Sequence, residues 1–292
     1  MNTLTHRRVF TLYPFSLIAM GCSKVNSCPQ RGQVCGLLDQ TDEIGFLGHN
    51  VIYYRILSAP QRLRRASVTS NESVGSHLSI HSNGRVLGVL RSDGFLLRGA
   101  GQVVAFSTTG NVELVSIMES TNMAYALVRT KGRMSINIFK ADSGTFIREV
   151  NLPLLSGAVQ LSSNRDYICL STIRKTMLIP VQGDKVDQIF ELGFAEICPN
   201  NNSIVGIASD ECVAVVAVAT GKSEFKSKSN AAWPRWHSKK PLICYQQMNL
   251  VGFVSELCIA DVRDQSIFSV EPLLPYKPII HSWLLSIENA GL

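Results

Sequence analysis

One pattern of turns repeats along the chain at a nearly constant spacing. In five segments a short apolar strand is followed by a polar turn and then by a second apolar run. A fixed period of about 40 residues predicts a fold built from repeated units. The turns are marked by Asn83, Asn122, Asn164, Asn201 and Lys239. The apolar runs after them are Val86 to Leu90, Ala124 to Val128, Tyr167 to Leu170, Ile204 to Ala208 and Leu242 to Tyr245.

A second series of turns follows the same period. Each turn contains residues that favour tight hairpins and separates two apolar segments. Four strands in a unit of about 40 residues are typical of a β-propeller blade, and no long segment has helical periodicity. The sequence therefore predicts an all-β chain. The five turns are Thr108 to Gly110, Asp142 to Gly144, Gln182 to Asp184, Thr220 to Lys222 and Arg263 to Gln265.

The two ends of the repeat supply one further unit. Three apolar segments precede the first complete unit, at Ile44 to Leu47, Val51 to Leu57 and Leu63 to Val68. One apolar segment, Pro278 to Ser286, follows the last unit. Because unpaired strand edges are prone to pair, we expect this C-terminal segment to join the N-terminal strands. The predicted fold is a single β-propeller over 44–292, most simply with six four-stranded blades; five blades with irregular ends is the alternative.

Part of the repeat resembles that of TolB-type propellers, a WD40-like family. In that family a Pro-x-Trp-Ser-Pro-Asp-Gly-like turn precedes an apolar strand, and a Thr-Gly-Lys-like turn closes the unit. Trp236-His237-Ser238 and Thr220-Gly221-Lys222 match these elements, while Asn83-Gly84 is the nearest equivalent of the Asp-Gly pair. The WD-repeat signature, a Gly-His pair with a closing Trp-Asp pair, is absent. The resemblance covers residues 76–271 and implies the fold more than a function.

The N-terminal segment has the pattern of a secretory leader. Arg7 and Arg8 precede an apolar stretch from Val9 to Gly21, which is too short to span a bilayer. Residues Leu17 to Cys22 resemble the lipobox of bacterial lipoproteins, in which the cysteine becomes lipidated.

The lipobox resemblance implies a signal peptide over 1–21, lipidation of Cys22 and a linker over 22–43. It also implies a location in the periplasm or at the cell surface, with membrane attachment through the lipid. A leader without lipid and a cytosolic chain are the alternatives.

The remaining cysteines fall into two groups. Cys28 and Cys35 flank a short loop and are candidates for a disulfide in an oxidising compartment. The other five lie singly in apolar segments, as buried thiols do. Two of these, Cys244 and Cys258, lie on the arms of one predicted hairpin and could face each other. No cysteine or histidine spacing suggests zinc.

Charge gives little sign of a polyanionic partner. The formal net charge is +6, and much of the excess is local, in short basic runs typical of solvated strand edges. We expect no nucleic-acid partner.

Catalytic and metal-binding motifs are also missing from the sequence. The histidines are scattered, although His77, His237 and His281 fall near predicted inner strands of different blades, with Glu196 the main acidic neighbour. A cluster at a central channel is therefore an alternative to histidines that are satisfied in turns. We expect no catalytic residue, no metal and no cofactor.

Three tryptophans fall at or near predicted inner strands. Trp233, Trp236 and Trp283 either pack in the gaps between blades or act with His237 as anchors on a partner or channel surface. The sequence leads to one functional hypothesis: a non-catalytic lipoprotein that binds proteins of a bacterial cell-envelope assembly through propeller loops. The alternatives are a propeller hydrolase or lyase with its site at the channel mouth, and a propeller that binds a small ligand or glycan.

Overall fold

The protein is described by a computed structural model that covers most of the repeat region. The described residues are 43–48, 51–56, 63–67, 78–80, 87–91, 94–99, 102–237, 239–248, 254–270 and 279–284. Within these ranges the regular structure is β-strand, apart from one 3-10 turn at Glu119–Thr121. The chain is all-β, as the sequence predicts.

Twenty-four strands are found in the described ranges, and they are numbered in chain order. Strands β1 to β8 are Glu43–Gly48, Val51–Ile56, Leu63–Ser67, Leu78–Ile80, Leu87–Arg91, Gly94–Gly99, Gln102–Ser107 and Asn111–Met118. Strands β9 to β16 are Met123–Thr130, Arg133–Lys140, Phe146–Leu152, Ala158–Ser163, Tyr167–Thr172, Thr176–Pro180, Gln188–Phe190 and Gly193–Ile197. Strands β17 to β24 are Ser203–Ile207, Val213–Ala217, Ser223–Lys226, Ala231–Trp236, Leu242–Met248, Val254–Asp261, Ile267–Val270 and Ile279–Leu284.

The described strands form four-stranded antiparallel sheets. Sheet 1 has the order β24-β1-β2-β3, and sheets 2 to 6 contain β4–β7, β8–β11, β12–β15, β16–β19 and β20–β23, each in chain order. In sheet 1 the C-terminal strand pairs with the first one, with Ile44 opposite Trp283 and Leu47 opposite Ile279. This pairing confirms that the C-terminal segment joins the N-terminal strands.

Four turns of the first series lie where the sequence predicts, and the fifth, at Asn83, lies outside the described residues. Asn122, Asn164, Asn201 and Lys239 fall between the first and second strands of sheets 3 to 6.

The second series is right in four cases and wrong in one. Four of its turns join the third and fourth strands of a sheet. The turn Thr108 to Gly110 instead connects β7 to β8, and so links sheet 2 to sheet 3. A short polar turn serves equally well inside a sheet and between sheets, so its composition does not distinguish the two.

The core lies between the sheets. Clusters of buried side chains join sheet 2 to 3, sheet 3 to 4, sheet 4 to 5 and sheet 5 to 6. In the first of these, the rings of Phe95 and Phe106 stack with centroids 4.2 Å apart, and Phe139 meets both edge-to-face. Because both faces of a central strand are covered, runs such as Ala124–Val128 are apolar throughout and do not alternate.

In each sheet, the turn between the second and third strands lies at the same end as the start of the first strand, because the sheets are antiparallel. We call this end the entry end, and contacts across it join neighbouring sheets. The amide of Ala231 donates to the carbonyl of Glu211 (3.0 Å), and the hydroxyl of Thr176 donates to that of Leu192 (2.6 Å).

Candidate functional site

Two aromatic side chains meet near the entry end. Phe194 lies in β16 and Trp233 in β20, and their rings pack edge-to-face with centroids 5.0 Å apart. Both side chains are half-buried. Each lies at a shift in strand register, between Gly193 and Glu196 in one strand and between Ala232 and Arg235 in the other. The first strands of sheets 5 and 6 therefore share the same shift in register, and an aromatic residue lies at that shift in each strand.

The backbone at both aromatic residues is strained. Phe194 has φ of 49° and Trp233 has φ of 53°, in the left-handed region that bulky residues avoid. A residue held in this way costs roughly 1–3 kcal/mol, and such strain is concentrated at functional sites. The surrounding contacts hold the geometry. The Ser171 hydroxyl accepts the Ala195 amide at 2.8 Å, and a Cβ on Gly193 would lie only 1.8 Å from the Ile173 carbonyl oxygen.

Apolar side chains extend the aromatic pair at the entry end. Leu154, in the connection from β11 to β12, is 59% exposed, and Ile173, in the turn from β13 to β14, is 58% exposed. The close approach of the Ile173 carbonyl to Gly193 places that turn directly beside the start of β16. Exposed apolar side chains of successive sheets thus lie at the same end as the two rings.

A charged cluster lies on the same first strands. Arg235 in β20 is only 8% exposed, and its Nη1 donates to the side-chain oxygen of Gln160 in β12 (2.6 Å) and to the Pro234 carbonyl (2.9 Å). Glu196 in β16 accepts the backbone amide of Trp236 at 2.9 Å. Side chains of three consecutive first strands are therefore joined through one guanidinium and one carboxylate.

Burial and mutual attraction act in opposite directions on the two charges. Burial raises the pKa of Glu196, while Arg235 and the amide of Trp236 oppose the rise. Burial lowers the pKa of Arg235, and the carboxylate of Glu196 opposes that fall. Each ion therefore compensates for the loss of hydration of the other.

Neighbouring first strands are tied together by a repeated hydrogen bond. The Ser162 hydroxyl of β12 accepts the amide of Ile197 in β16 (3.1 Å), just as Glu196 accepts that of Trp236. Asn164 adds a bridge by donating from its side-chain amide to the carbonyl of Cys198 (3.2 Å). The polar groups of the first strands thus hold the sheets in place.

Trp233, Trp236 and His237, which the sequence singles out, differ in how much of each side chain is exposed. Trp236 is 3% exposed, packs between sheets 5 and 6 and donates from Nε1 to the Glu196 carbonyl at 3.1 Å, so it is part of the core. His237 is fully buried, and its Nδ1 accepts the amides of Lys239 and Lys240 at 3.0 Å each. It stabilises the β20–β21 turn. Trp233 is the one of these three that offers surface to a partner.

Several other predicted residues lie outside the described part of the chain. Cys22, Cys28, Cys35 and His77 are outside the described residues. Trp283 and His281 are backbone positions in β24, and their side chains lie outside the described part. The predictions for all six residues stay predictions.

The buried cysteines are thiols and form no disulfide in the described region. Cys244 lies opposite Ile259, and Cys258 lies opposite Tyr245. The two cysteines are thus on opposite faces of their sheet and do not face each other. Burial raises the pKa of Cys169 to about 12, which keeps its thiol protonated and unreactive.

Other kinds of site are weakly represented among the described residues. No group of three or more His, Cys, Asp or Glu side chains there could hold a metal ion. A shallow cleft of about 340 Å³ lies at the entry end of sheet 3, and its lining includes Arg129, which is paired with Glu113, and the exposed Lys131.

Among the helices of the described chain, none has the length and apolarity required to span a bilayer.

Sequence reasoning missed Phe194, Gln160 and Arg235. A signal for the first was present, because Phe194 and Glu196 precede Trp233 and Arg235 by the same 39 residues. No comparable signal marks Gln160, whose contact with Arg235 depends on the placement of the strands.

Comparisons with known proteins identify the architecture alone. No protein-family model matches the chain, and no curated protein matches it. Among solved structures 1085 chains match, so the fold is too widespread to indicate a function by itself. One of them is a protein of unknown function from Bacteroides caccae, determined at 1.35 Å resolution. It superposes with a TM-score of 0.57 at 9% identity, over 83% of this chain and 97% of that one.

Proposed function

We propose that the sheets are the blades of one six-bladed β-propeller. Contacts between first strands support this arrangement, because β4, β8, β12, β16, β20 and β24 each contact the next, and β24 contacts β4. The clusters of buried side chains between consecutive sheets support it as well. The pairing of β24 with β1 would then close the ring and leave no open sheet edge between the first and last blades.

The propeller functions as a non-catalytic module that binds a protein partner at the entry end. The observation that carries this proposal is the Phe194–Trp233 pair, two half-buried rings on strained backbone at the same end as the exposed Leu154 and Ile173. Aromatic residues dominate the binding energy of protein interfaces when they sit near the centre of an apolar patch. A rigid strand framework also presents the rings with little entropy to lose on binding.

The contacts of Glu196 and Arg235 favour a structural role for these residues over a catalytic one. The guanidinium of Arg235 is engaged by Gln160 and by the Pro234 carbonyl, and the carboxylate of Glu196 accepts a backbone amide. Both groups therefore hold strands together. A hydrolase or lyase would need such groups to be directed at a substrate.

Membrane attachment is the second part of the proposal. Leu17 to Cys22 resembles a lipobox, so lipid on Cys22 would tether the propeller to a bacterial membrane, in the periplasm or at the cell surface. The partner then belongs to a cell-envelope assembly. Intact-mass analysis of the membrane-extracted protein tests the anchor: wild type should begin at a lipidated Cys22, and Cys22→Ser should not carry lipid. An unmodified full-length chain in the soluble fraction would contradict it.

Site-specific photo-crosslinking in cells tests the proposed surface. A photoreactive amino acid at Leu154 or Ile173 should give discrete adducts with another protein. The same substitution at Val103 or Ile189, which are exposed on the fourth strands of sheets 2 and 4, should not. Adducts from all four positions, or from the control positions alone, would contradict the assignment of the entry end.

The contribution of the aromatic pair is measured on the adduct partner once identified. Trp233→Ala should weaken binding at least tenfold, as loss of an aromatic anchor does. The chain should stay folded, because the ring is only half-buried and the substitution leaves the core intact. Ile189→Ala is the matched control. Unchanged affinity for Trp233→Ala would refute the anchoring role.

A further inference from the structure

The charges around the aromatic pair indicate which kind of partner the entry end accepts. We propose that the entry end recognises a peptide segment with an apolar centre flanked by acidic residues. This inference rests on the proposed function, since it specifies the partner of that same surface. It is carried by the distribution of paired and unpaired ions in the connections at this end.

Three ion pairs at the entry end are internally neutral. Arg129 pairs with Glu113 in sheet 3, Lys175 with Glu191 in sheet 4, and Lys226 with Asp210 in sheet 5. The first pair joins two strands, and the other two pairs involve residues of turns or connections. These acids are already matched, so they leave no negative potential for a basic partner.

The remaining charges in the described connections are mostly positive. Lys131, Arg174 and Lys228 are exposed and make no ion pair within the described part of the chain. They lie in the second-to-third turns of sheets 3 and 4 and in the connection from sheet 5 to sheet 6. Arg133, bound to the Asn151 side chain, adds a fourth cation, against one exposed and unpaired acid, Glu211.

These cations lie at the same end of the sheets as the apolar side chains and the aromatic pair. Arg174 directly follows the exposed Ile173, and Lys228 lies five residues before Trp233 in the connection that leads into β20. Rim charges of one sign attract a partner of the opposite sign, exclude partners of like sign and raise the association rate. An apolar segment that enters between them is matched best by acidic flanks.

A nucleic acid is the less favoured polyanion. The exposed cations lie on separate turns and connections, and the unpaired Glu211 lies among them, so they offer no continuous track for a phosphate backbone. A peptide places a few carboxylates at discrete points and leaves its apolar centre for Phe194 and Trp233.

Selection of random dodecapeptides on the full-length protein tests the inference. Binders are counter-selected on Trp233→Ala and their affinities are measured by fluorescence anisotropy at low and physiological salt. Trp233-dependent peptides should have an apolar centre with Asp or Glu on its flanks, and their affinity should fall as salt rises. Charge reversal by Lys131→Glu, Arg174→Glu and Lys228→Glu together should weaken these peptides at least tenfold.

A matched triple variant lies at the opposite end of the sheets. Lys185→Glu, Lys222→Glu and Lys239→Glu change the same charge on exposed residues of turns there and should leave affinity unchanged. Trp233-dependent peptides with uncharged or basic flanks, or equal effects of the two triple variants, would overturn the inference while the proposed function stands. Absence of any Trp233-dependent peptide would overturn the proposed function itself. Tighter binding of a single-stranded oligonucleotide than of any peptide would overturn the peptide class.

Discussion

Glu196 and Arg235 give a prediction in which the effect of one mutation depends on a second residue. Replacing Glu196 by Gln keeps a side-chain oxygen for the Trp236 amide but removes the negative charge that acts on Arg235. Arg235 is 8% exposed, so its guanidinium would lose this compensating charge away from solvent. We expect Glu196→Gln to be less favourable for the fold while Arg235 is present than after Arg235 is replaced.

The magnitude follows from the burial of the two groups. Breaking a fully buried ion pair from one side costs roughly 3–5 kcal/mol, and a neutral hydrogen bond retained at that site lowers the cost. Because Gln keeps the acceptor, we expect the effects of Glu196→Gln with and without Arg235 to differ by about 2 kcal/mol in the free energy of unfolding. In a domain of this size that corresponds to a difference in Tm of about 4–8 °C.

Glu196→Gln should be more favourable when Arg235 is replaced by Met. Without the guanidinium, the buried carboxylate of Glu196 is uncompensated, so Glu196→Gln in that background should be stabilising. The pH dependence follows from the net rise in the pKa of Glu196, which remains although Arg235 opposes it. Burial raises the pKa of Glu196 in the folded state, so its contribution to stability is present below the ordinary carboxyl pKa and is lost as pH rises through the raised value. Glu196→Gln should remove that part of the pH dependence.

Urea unfolding monitored by tryptophan fluorescence measures all four chains of the cycle. Glu149→Gln is the control, because Glu149 is exposed on β11 and its neutralisation should change stability by less than about 0.5 kcal/mol. Equal effects of Glu196→Gln in the two backgrounds would refute the coupling.

Two further predictions concern steric fit and thiol reactivity. Gly193→Ala should cost about 3 kcal/mol, because its Cβ would lie 1.8 Å from the Ile173 carbonyl oxygen, whereas Gly132→Ala has open space and should cost only about 1–2 kcal/mol for its φ of +76°; equal costs in urea unfolding would contradict this. At pH 8 iodoacetamide should leave Cys169 unmodified in the native protein and alkylate it after unfolding, because burial raises the pKa of Cys169 to about 12. Rapid native labelling of Cys169 in peptide maps would show that the site opens.

Much of the strand pattern can be predicted from the sequence, because turns and apolar runs are local features. Leu63–Ser67 and Ile279–Leu284 form within a few residues of their predicted ends. The partnership of β24 with β1 is also predictable, since a chain of repeats with three strands at one end and one at the other has a single economical pairing. The turn Thr108 to Gly110 shows the limit, because its sequence suits both a hairpin and a connection between sheets.

The candidate site is less accessible to sequence reasoning. Trp233 could be singled out as a large ring near a first strand. Trp236, three residues later, is also a tryptophan in the same region of the sequence, but it is buried. The difference arises from the shift in register between Ala232 and Arg235, which the sequence does not announce. The contact between Arg235 and Gln160 joins residues 75 positions apart and depends on how three sheets are placed.

The partnership of β24 with β1 also sets the order of events during synthesis. Strand β1 leaves the ribosome long before Ile279–Leu284 is made, so at roughly 5–20 residues per second it waits tens of seconds for its neighbour. Until then β1 offers an unpaired edge to any extended chain nearby, including another nascent copy. Chaperone capture of the N-terminal hairpin during translation would shield this edge, and a ribosome-stalled chain ending before Ile279 is the species in which that demand is greatest.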